Sequence, residues 1–285
     1  MLNLNAEKIT AKLSDKNKYI KLNIFDSIDS TNDFFKTNKQ TSDLIEICLA
    51  ESQTQGRGQF DRRWHSPWGK NIYLSMKYIF TQNSKLFAGL SLVVGLSVAR
   101  VIDSQIGWIL ERKKEVLIKW PNDIYIVSQD AKKKLGGVLI ETQSCDVNEM
   151  GQKAKMIIIG IGLNINMDES EDKTSQNLPE EWTSILKEAG EVQDRNHWVA
   201  LILEALIQDL EKFETFGFSA FESAWREKDY LFGRSVLVKL PDRTERSGQA
   251  VGVDSSGRLL LKLEDGLEEN ISAFASGEIY IKNIN

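Results

Sequence analysis

Apolar positions arrive in short bursts over the first part of the chain. Runs at 19–25, 44–50, 71–80, 116–119, 124–127, 135–142 and 156–166 are rich in β-branched and aromatic residues and end at Gly, Asn, Asp or Pro. Such runs predict strands. Between them, 30–38 and 84–109 carry helical spacing; in the second, Leu86, Leu90, Val93, Val94 and Val101 recur on one side. The charged passage 168–177 predicts a loop, and 182–189 a short helix closed by Gly190. The longest helix is predicted over 196–216, with Val199, Ile202, Leu203, Leu206, Leu210 and Phe213 on one face. Helical character continues over 218–229. After Gly233 the texture changes: 235–240, 246–254, 258–263, 267–272 and 278–282 alternate as short strands, with Pro-Asp, Ser-Gly and Asp-Gly at the turns. The pattern predicts a polar flank at 1–18, one large unit at 19–232 and a small β-barrel at 233–285.

Composition narrows the class. Of 285 residues, 41% are hydrophobic and 27% charged, which excludes a fibrous or disordered chain. A net charge of −5 argues against global attraction to nucleic acid, while local basic patches remain open. The two cysteines, Cys48 and Cys145, lie in or beside apolar runs and form neither a disulfide framework nor a metal quartet; buried reduced thiols are expected. No secretory h-region and no membrane-length apolar window occurs, so a soluble cytoplasmic protein is expected.

Four stretches carry residue types suited to chemistry. Residues 56–71, GRGQFDRRWHSPWGKN, combine glycines that permit close approach with Arg57, Arg62 and Arg63, whose guanidinium forks suit phosphate or carboxylate. A turn with solvated arginines is the competing reading. In 117–126, Pro121 biases Trp120 toward extended backbone and places Asn122-Asp123 in a turn, either an ordinary one or a perch for a metal-bound nucleotide. In 131–141, Lys134 precedes Gly136-Gly137 at the start of an apolar strand; it is either part of a solvated run or aimed at a negative transition state. In 157–166, Gly160 and Gly162 interrupt a buried strand, which suggests close approach, and Asn164 is polar in an apolar context. His65 and His197 stand far apart, and no Gly-x-Ser-x-Gly elbow exists, so metallohydrolase and serine-hydrolase chemistry are poor fits. Arginines and lysines without a nucleophile suggest positioning and charge neutralisation, as in nucleotidyl transfer.

Taken in order, Asp29-Ser30-Thr31-Asn32, 56–71, Lys119-Trp120-Pro121-Asn122-Asp123, Lys134 to Gly137 and Gly160 to Asn164 resemble the motifs of the biotin–protein ligases. The resemblance spans roughly 20–285; each motif alone is weak, and the ordered set is highly specific. It implies an α+β fold with a central mixed β-sheet and flanking helices, of the class II aminoacyl-tRNA synthetase kind, plus a C-terminal SH3-like barrel. It implies that biotin is activated by ATP with Mg²⁺ to biotinyl-5′-AMP, then transferred to a lysine of a biotin carboxyl carrier protein. By position, the resemblance makes Lys134, Arg57 and Arg62 catalytic. Ser30, Thr31, Asn32, Gln53, Gly56, Arg57, Gly58, Lys134 and Gly137 would bind biotin. Gln59, Arg62, Trp64, Asn122, Asp123, Asn164 and Trp182 would bind ATP, with Asp123 at the metal.

Some positions depart from the family pattern. Gln59 stands where many members carry arginine, Phe274 where Trp occurs, and Lys282 where Arg occurs. The winged-helix domain of repressor members has no counterpart, so no DNA binding is expected. No membrane partner is expected either, and the resemblance leaves monomer and homodimer both open. The rival readings are a lipoate–protein ligase and a non-catalytic binding or regulatory module; the second would predict loss of Lys134 or Arg57, and both are present.

Overall fold

The computed structural model describes residues 3–14, 20–37, 45–80, 87–110, 113–144, 155–170, 181–263 and 271–282. Seven strands form one sheet: β1 (Ile20–Phe25), β2 (Ile45–Ala50), β3 (Ile72–Phe80), β4 (Lys114–Lys119), β5 (Asp123–Ser128), β6 (Lys132–Ser144) and β7 (Lys155–Leu163). Their order is β1-β2-β3-β7-β6-β5-β4, with β1 and β2 parallel and every other neighbouring pair antiparallel. The sheet is mixed, as expected. Alternation of side chains assigns its faces. Ile72, Leu74 and Met76 of β3 and Ile157, Ile159 and Ile161 of β7 enter the main core. Tyr73, Ser75, Ile158, Gly160 and Gly162 take the opposite register and serve the other face.

Helices α3 (Leu90–Ile106) and α5 (Arg195–Phe216) pack together on the core side. All six residues of the predicted α5 face are buried. Burying each such aliphatic or aromatic side chain contributes roughly 1.5–3 kcal/mol, so packing rather than intrinsic propensity holds the helix. Helix α3 starts later than predicted because Gly89, at φ 83°, sits left-handed before Leu90; residues 84–86 lie outside the described ones. Helix α2 (Thr31–Thr37) lies on the opposite face against β2, β3 and β7 and leaves the rest of that face uncovered.

Three segments differ from the sequence reading. Within 182–189 only α4 (Ile185–Ala189) is helical, because Ser184 caps it and Trp182 is held in a β-bridge with Lys134. The predicted helix 218–229 divides into a 3₁₀ turn (Phe218–Phe221) and α6 (Glu222–Lys228). The polar flank contains α1 (Ala6–Thr10), and it buries Leu4, Ile9 and Leu13, with α1 lying against α5. Three apolar residues scattered among charged ones gave no periodic signal. Of the loop 168–177, residues 171–177 lie outside the described ones, as does Cys145. Cys48 is buried, and burial pushes its thiol up to about 12, as expected of an inert core cysteine.

Strands β8 (Ser235–Lys239), β9 (Glu245–Val253), β10 (Leu259–Leu263), β11 (Ile271–Phe274) and β12 (Glu278–Ile281) form a five-stranded antiparallel sheet in the order β11-β10-β9-β8-β12. Residues 267–270 of the fourth predicted strand lie outside the described ones. Trp120 Nε1 donates to the Gly257 carbonyl at 2.9 Å, which ties this sheet to the turn after β4. Gly257 must be glycine on two counts: its φ is +72°, and a Cβ there would lie 2.5 Å from the Gly89 Cα. Among the described residues, no helix is long and apolar enough to cross a membrane.

Candidate active site

The uncovered part of the sheet is the floor of a cleft of about 800 Å³, bounded by the loop between β2 and β3 and by β12 of the C-terminal sheet. One end is neutral and tightly bonded. The Thr31 N–H donates to Gln53 Oε1 at 3.0 Å, and the Thr31 hydroxyl donates to the same oxygen at 3.2 Å. Gln53 Nε2 donates to Ser66 Oγ at 3.1 Å, and Ser75 Oγ lies 2.7 Å from Thr31 Oγ1. Asn32 Nδ2 donates to Glu141 at 2.8 Å while its carbonyl faces Ser75. Ser30, Thr31 and Asn32 are all buried at the start of α2. These groups hold one another in a fixed orientation.

Glu141 is the hub beneath them. It also accepts from Lys36 at 2.7 Å and from Arg57 at 3.1 Å, and Arg57 reaches Asp33 at 2.6 Å as well. Burial pushes the Glu141 carboxyl up, but the hydrogen bonds from Lys36 and Asn32 and the charge of Arg57 outweigh it and hold it below the usual glutamate range.

The other end is cationic. Lys119, Lys132, Lys134 and Arg62 line it around Asp123. Lys134 Nζ lies 2.6 Å from Asp123 Oδ1 and 5.5 Å from the centroid of the Trp64 ring. Burial pushes the Lys119 ammonium below the usual lysine range, and repulsion from Lys132, Lys134 and Arg62 adds to this against the pull of Asp123. Strand β6 joins the two ends: it runs from Lys132 and Lys134 through Gly137 to Glu141 beneath Asn32.

The loop over the cleft folds back on itself. Gly58 N–H donates to the Arg62 carbonyl at 2.7 Å and Trp64 N–H to the Gly56 carbonyl at 2.8 Å, around a 3₁₀ turn at Gln59–Asp61. At its tip Phe60 is exposed and left-handed, with φ 56°. Arg62 reaches across to Glu278 of β12, so the loop bridges to the C-terminal sheet. The Trp64 ring lies against β7, where a Cβ on Gly162 would come within 2.5 Å of it. A Cβ on Gly160 would come equally close to the Asn32 carboxamide. The close approach expected at these two glycines is therefore made by the protein's own side chains.

Most predicted site residues meet here: Ser30, Thr31, Asn32, Gln53, Arg57, Gly58, Gln59, Arg62, Trp64, Asn122, Asp123, Lys134, Gly137 and Asn164 all line the cleft. Both asparagines among the predicted ATP-site residues already serve the backbone. Asn122 Nδ2 donates to the Val138 carbonyl at 2.7 Å, and Asn164 Nδ2 to the Thr183 carbonyl at 3.0 Å. Gly56 and Trp182 are not among the lining residues. Gly56 packs inside the loop, where a Cβ would lie 2.8 Å from Ser66 Oγ. Trp182 is buried, with the Lys187 ammonium 4.1 Å from its ring centroid. Lys119, Tyr125, Lys132, Glu141 and Glu278 were not singled out from the sequence as site residues; the period-two register of β5 and β6 beside Asp123 and Gly137 could have found Tyr125 and Glu141. Among the described residues, no group of three or more His, Cys, Asp or Glu is gathered to hold a metal. The chemistry on offer is orientation at one end and charge neutralisation at the other.

Comparison with known proteins agrees with this geometry. Residues 24–164 match the Biotin/lipoate A/B protein ligase family, and residues 231–282 match the Biotin protein ligase C terminal domain. The bifunctional ligase/repressor BirA of Salmonella typhimurium is 34% identical over 280 residues, covering 98% of this chain and 79% of the relative. The biotin–[acetyl-CoA-carboxylase] ligase of Mycobacterium tuberculosis is 27% identical over 216 residues, 75% of this chain and 72% of the relative. The biotin protein ligase from Aquifex aeolicus in complex with biotin and ATP superposes with a TM-score of 0.69 at 26% identity, covering 92% of this chain and 98% of that one.

Proposed function

The chain belongs to the biotin protein ligase family, whose members join biotin to protein at the expense of ATP, and from that membership we propose how its cleft divides the reaction. In the first half-reaction a biotin carboxylate oxygen attacks the α-phosphorus of ATP. The bond to the bridging oxygen breaks, and pyrophosphate leaves with the electron pair. In the second, the amine of a lysine on a biotin carboxyl carrier protein attacks the acyl carbon; AMP leaves, and the amine proton passes to solvent.

The neutral end suits the uncharged ring and ureido group of biotin, because its donors and acceptors are oriented by one another. Ser30, Thr31, Asn32 and Gln53 take that role. The cationic end suits the phosphates, with Arg62, Lys119 and Lys132 offsetting charge that no protein nucleophile needs to share. Lys134 stands where β6 passes from one end to the other, and this is the observation that carries the division. Its ammonium, steadied by Asp123, meets both the carboxylate and the α-phosphate. The loop carrying Arg57, Arg62 and Trp64 covers the mixed anhydride and keeps water away until the carrier lysine arrives.

Magnesium fits as an ion that arrives on the triphosphate, because it keeps most of its waters and needs only one or two carboxylates. Asp123 and Glu278 are the carboxylates at that end, each already paired with a cation of the cleft. When bound, the ion would supply further neutralisation of phosphate charge.

The test is exchange of labelled pyrophosphate into ATP with biotin or lipoate as the acid, followed by label transfer to a carrier domain. Exchange with biotin and transfer to the carrier lysine are expected. Exchange with lipoate alone would overturn the biotin assignment.

A further inference from the structure

Resting on the ligase reading, we propose that Glu51 and Arg195, a buried ion pair away from the cleft lining, are positioning residues that pin both ends of the catalytic loop. The loop leaves the sheet at Glu51, directly after β2, and rejoins it at Asn71, directly before β3. Arg195 lies in the first turn of α5 and is 1% exposed. Its Nη1 is 2.6 Å from Glu51 Oε2 and donates to the Asn71 carbonyl at 3.2 Å. One guanidinium therefore spans both hinges. Glu51 Oε1 accepts the Leu4 N–H at 2.6 Å, and the Glu51 carbonyl accepts the Gly69 N–H at 3.0 Å. Asn71 carries the constraint toward the cleft, because its Nδ2 donates to Asn164 Oδ1 at 3.3 Å.

Core stability alone does not call for this pair. Two buried charges bear a large desolvation penalty, and apolar residues of similar volume often hold a core as well. A cation in the first turn of a helix also faces the positive end of the helix dipole. Yet the pair fixes the two backbone points that decide where Arg57, Arg62 and Trp64 fall. A misplacement of about 1 Å at a reacting centre costs on the order of a hundredfold in rate, so small hinge errors matter.

Two variants separate positioning from packing. Glu51→Gln/Arg195→Met removes both charges together and strands neither. Arg195→Lys keeps a cation for Glu51 but replaces the rigid planar guanidinium, whose Nη1 reaches both hinges, with a flexible ammonium. Thermal melting, kcat and biotin KM in pyrophosphate exchange, and tryptic cleavage within 57–63 without ligand are measured for each. The double variant is expected to melt near wild type and keep its biotin KM, while kcat falls about tenfold or more and loop cleavage quickens. Arg195→Lys is expected to recover part of the kcat. Wild-type kcat and wild-type loop cleavage in a folded variant would overturn the proposal; if the double variant does not fold, Arg195→Lys decides on the same readouts. Absence of biotin-dependent exchange in the wild type would instead count against the ligase reading, and ligand-free cleavage would still report on the hinges.

Discussion

At the neutral end of the cleft, Thr31 and Asn32 are each 4% exposed and bonded to Gln53, Ser75 and Glu141. At the cationic end, the Arg62 side chain is 63% exposed and tied to the rest of the protein through Glu278. The difference follows from what each end must hold. An uncharged ring is recognised by hydrogen bonds, and these are strongest and most selective where water is excluded and partners are preset. Phosphates must enter and pyrophosphate must leave, so that end combines cations on the strands, Lys119, Lys132 and Lys134, with one exposed cation, Arg62, on the loop. On the proposed reading, a ligase that keeps a reactive anhydride needs a seat and a cover, the bonded end serving as the seat and the loop that carries Arg62 as the cover.

Four substitutions probe that contrast, in order of expected effect. Lys134→Ala removes the cation where the ends meet; kcat for pyrophosphate exchange should fall by roughly 10²–10³, with melting unchanged. A smaller effect is expected for Thr31→Val, which deletes the hydroxyl that links Gln53 and Ser75. An unsatisfied buried partner costs roughly 1–3 kcal/mol, which should appear as a raised biotin KM and a lowered melting temperature. Smallest is the cover. Arg62→Ala removes the most exposed of the phosphate-facing cations; an ion pair at such a solvent-screened site is worth about 0–1 kcal/mol, so biotinyl-adenylate should escape at most about fivefold faster. In the same release assay Gln59→Arg, which adds a cation to the loop turn, should slow escape. Equal release from both variants would mean that the loop charges do not act on the adenylate.

Much of this was legible in the sequence, for reasons that particular residues make plain. The strand runs announced themselves because β-branched residues fill them, and the α5 face because six apolar residues kept helical register. Lys134, Asp123 and Thr31 stood out through their neighbours in the chain. Glu141 and Lys119 did not, since their roles come from strand pairing: Glu141 reaches Asn32 across 109 positions. The purpose of Gly160 and Gly162 was half-legible. Glycine announced a close approach, but only the fold shows that Asn32 and Trp64 make it. Trp182 was assigned to ATP by resemblance, and the Lys187 ammonium 4.1 Å from its ring centroid is five residues further on, where no sequence pattern marks it.

The most direct measurement takes kcat and biotin KM for pyrophosphate exchange in Thr31→Val and Lys134→Ala side by side, with ATP saturating. A seat that only binds and a lysine that serves the transition state predict opposite splits. Thr31→Val should regain nearly wild-type kcat at high biotin, and Lys134→Ala should stay slow at every biotin concentration. Recovery of Lys134→Ala at high biotin, or a lasting kcat loss in Thr31→Val, would contradict the division of the cleft.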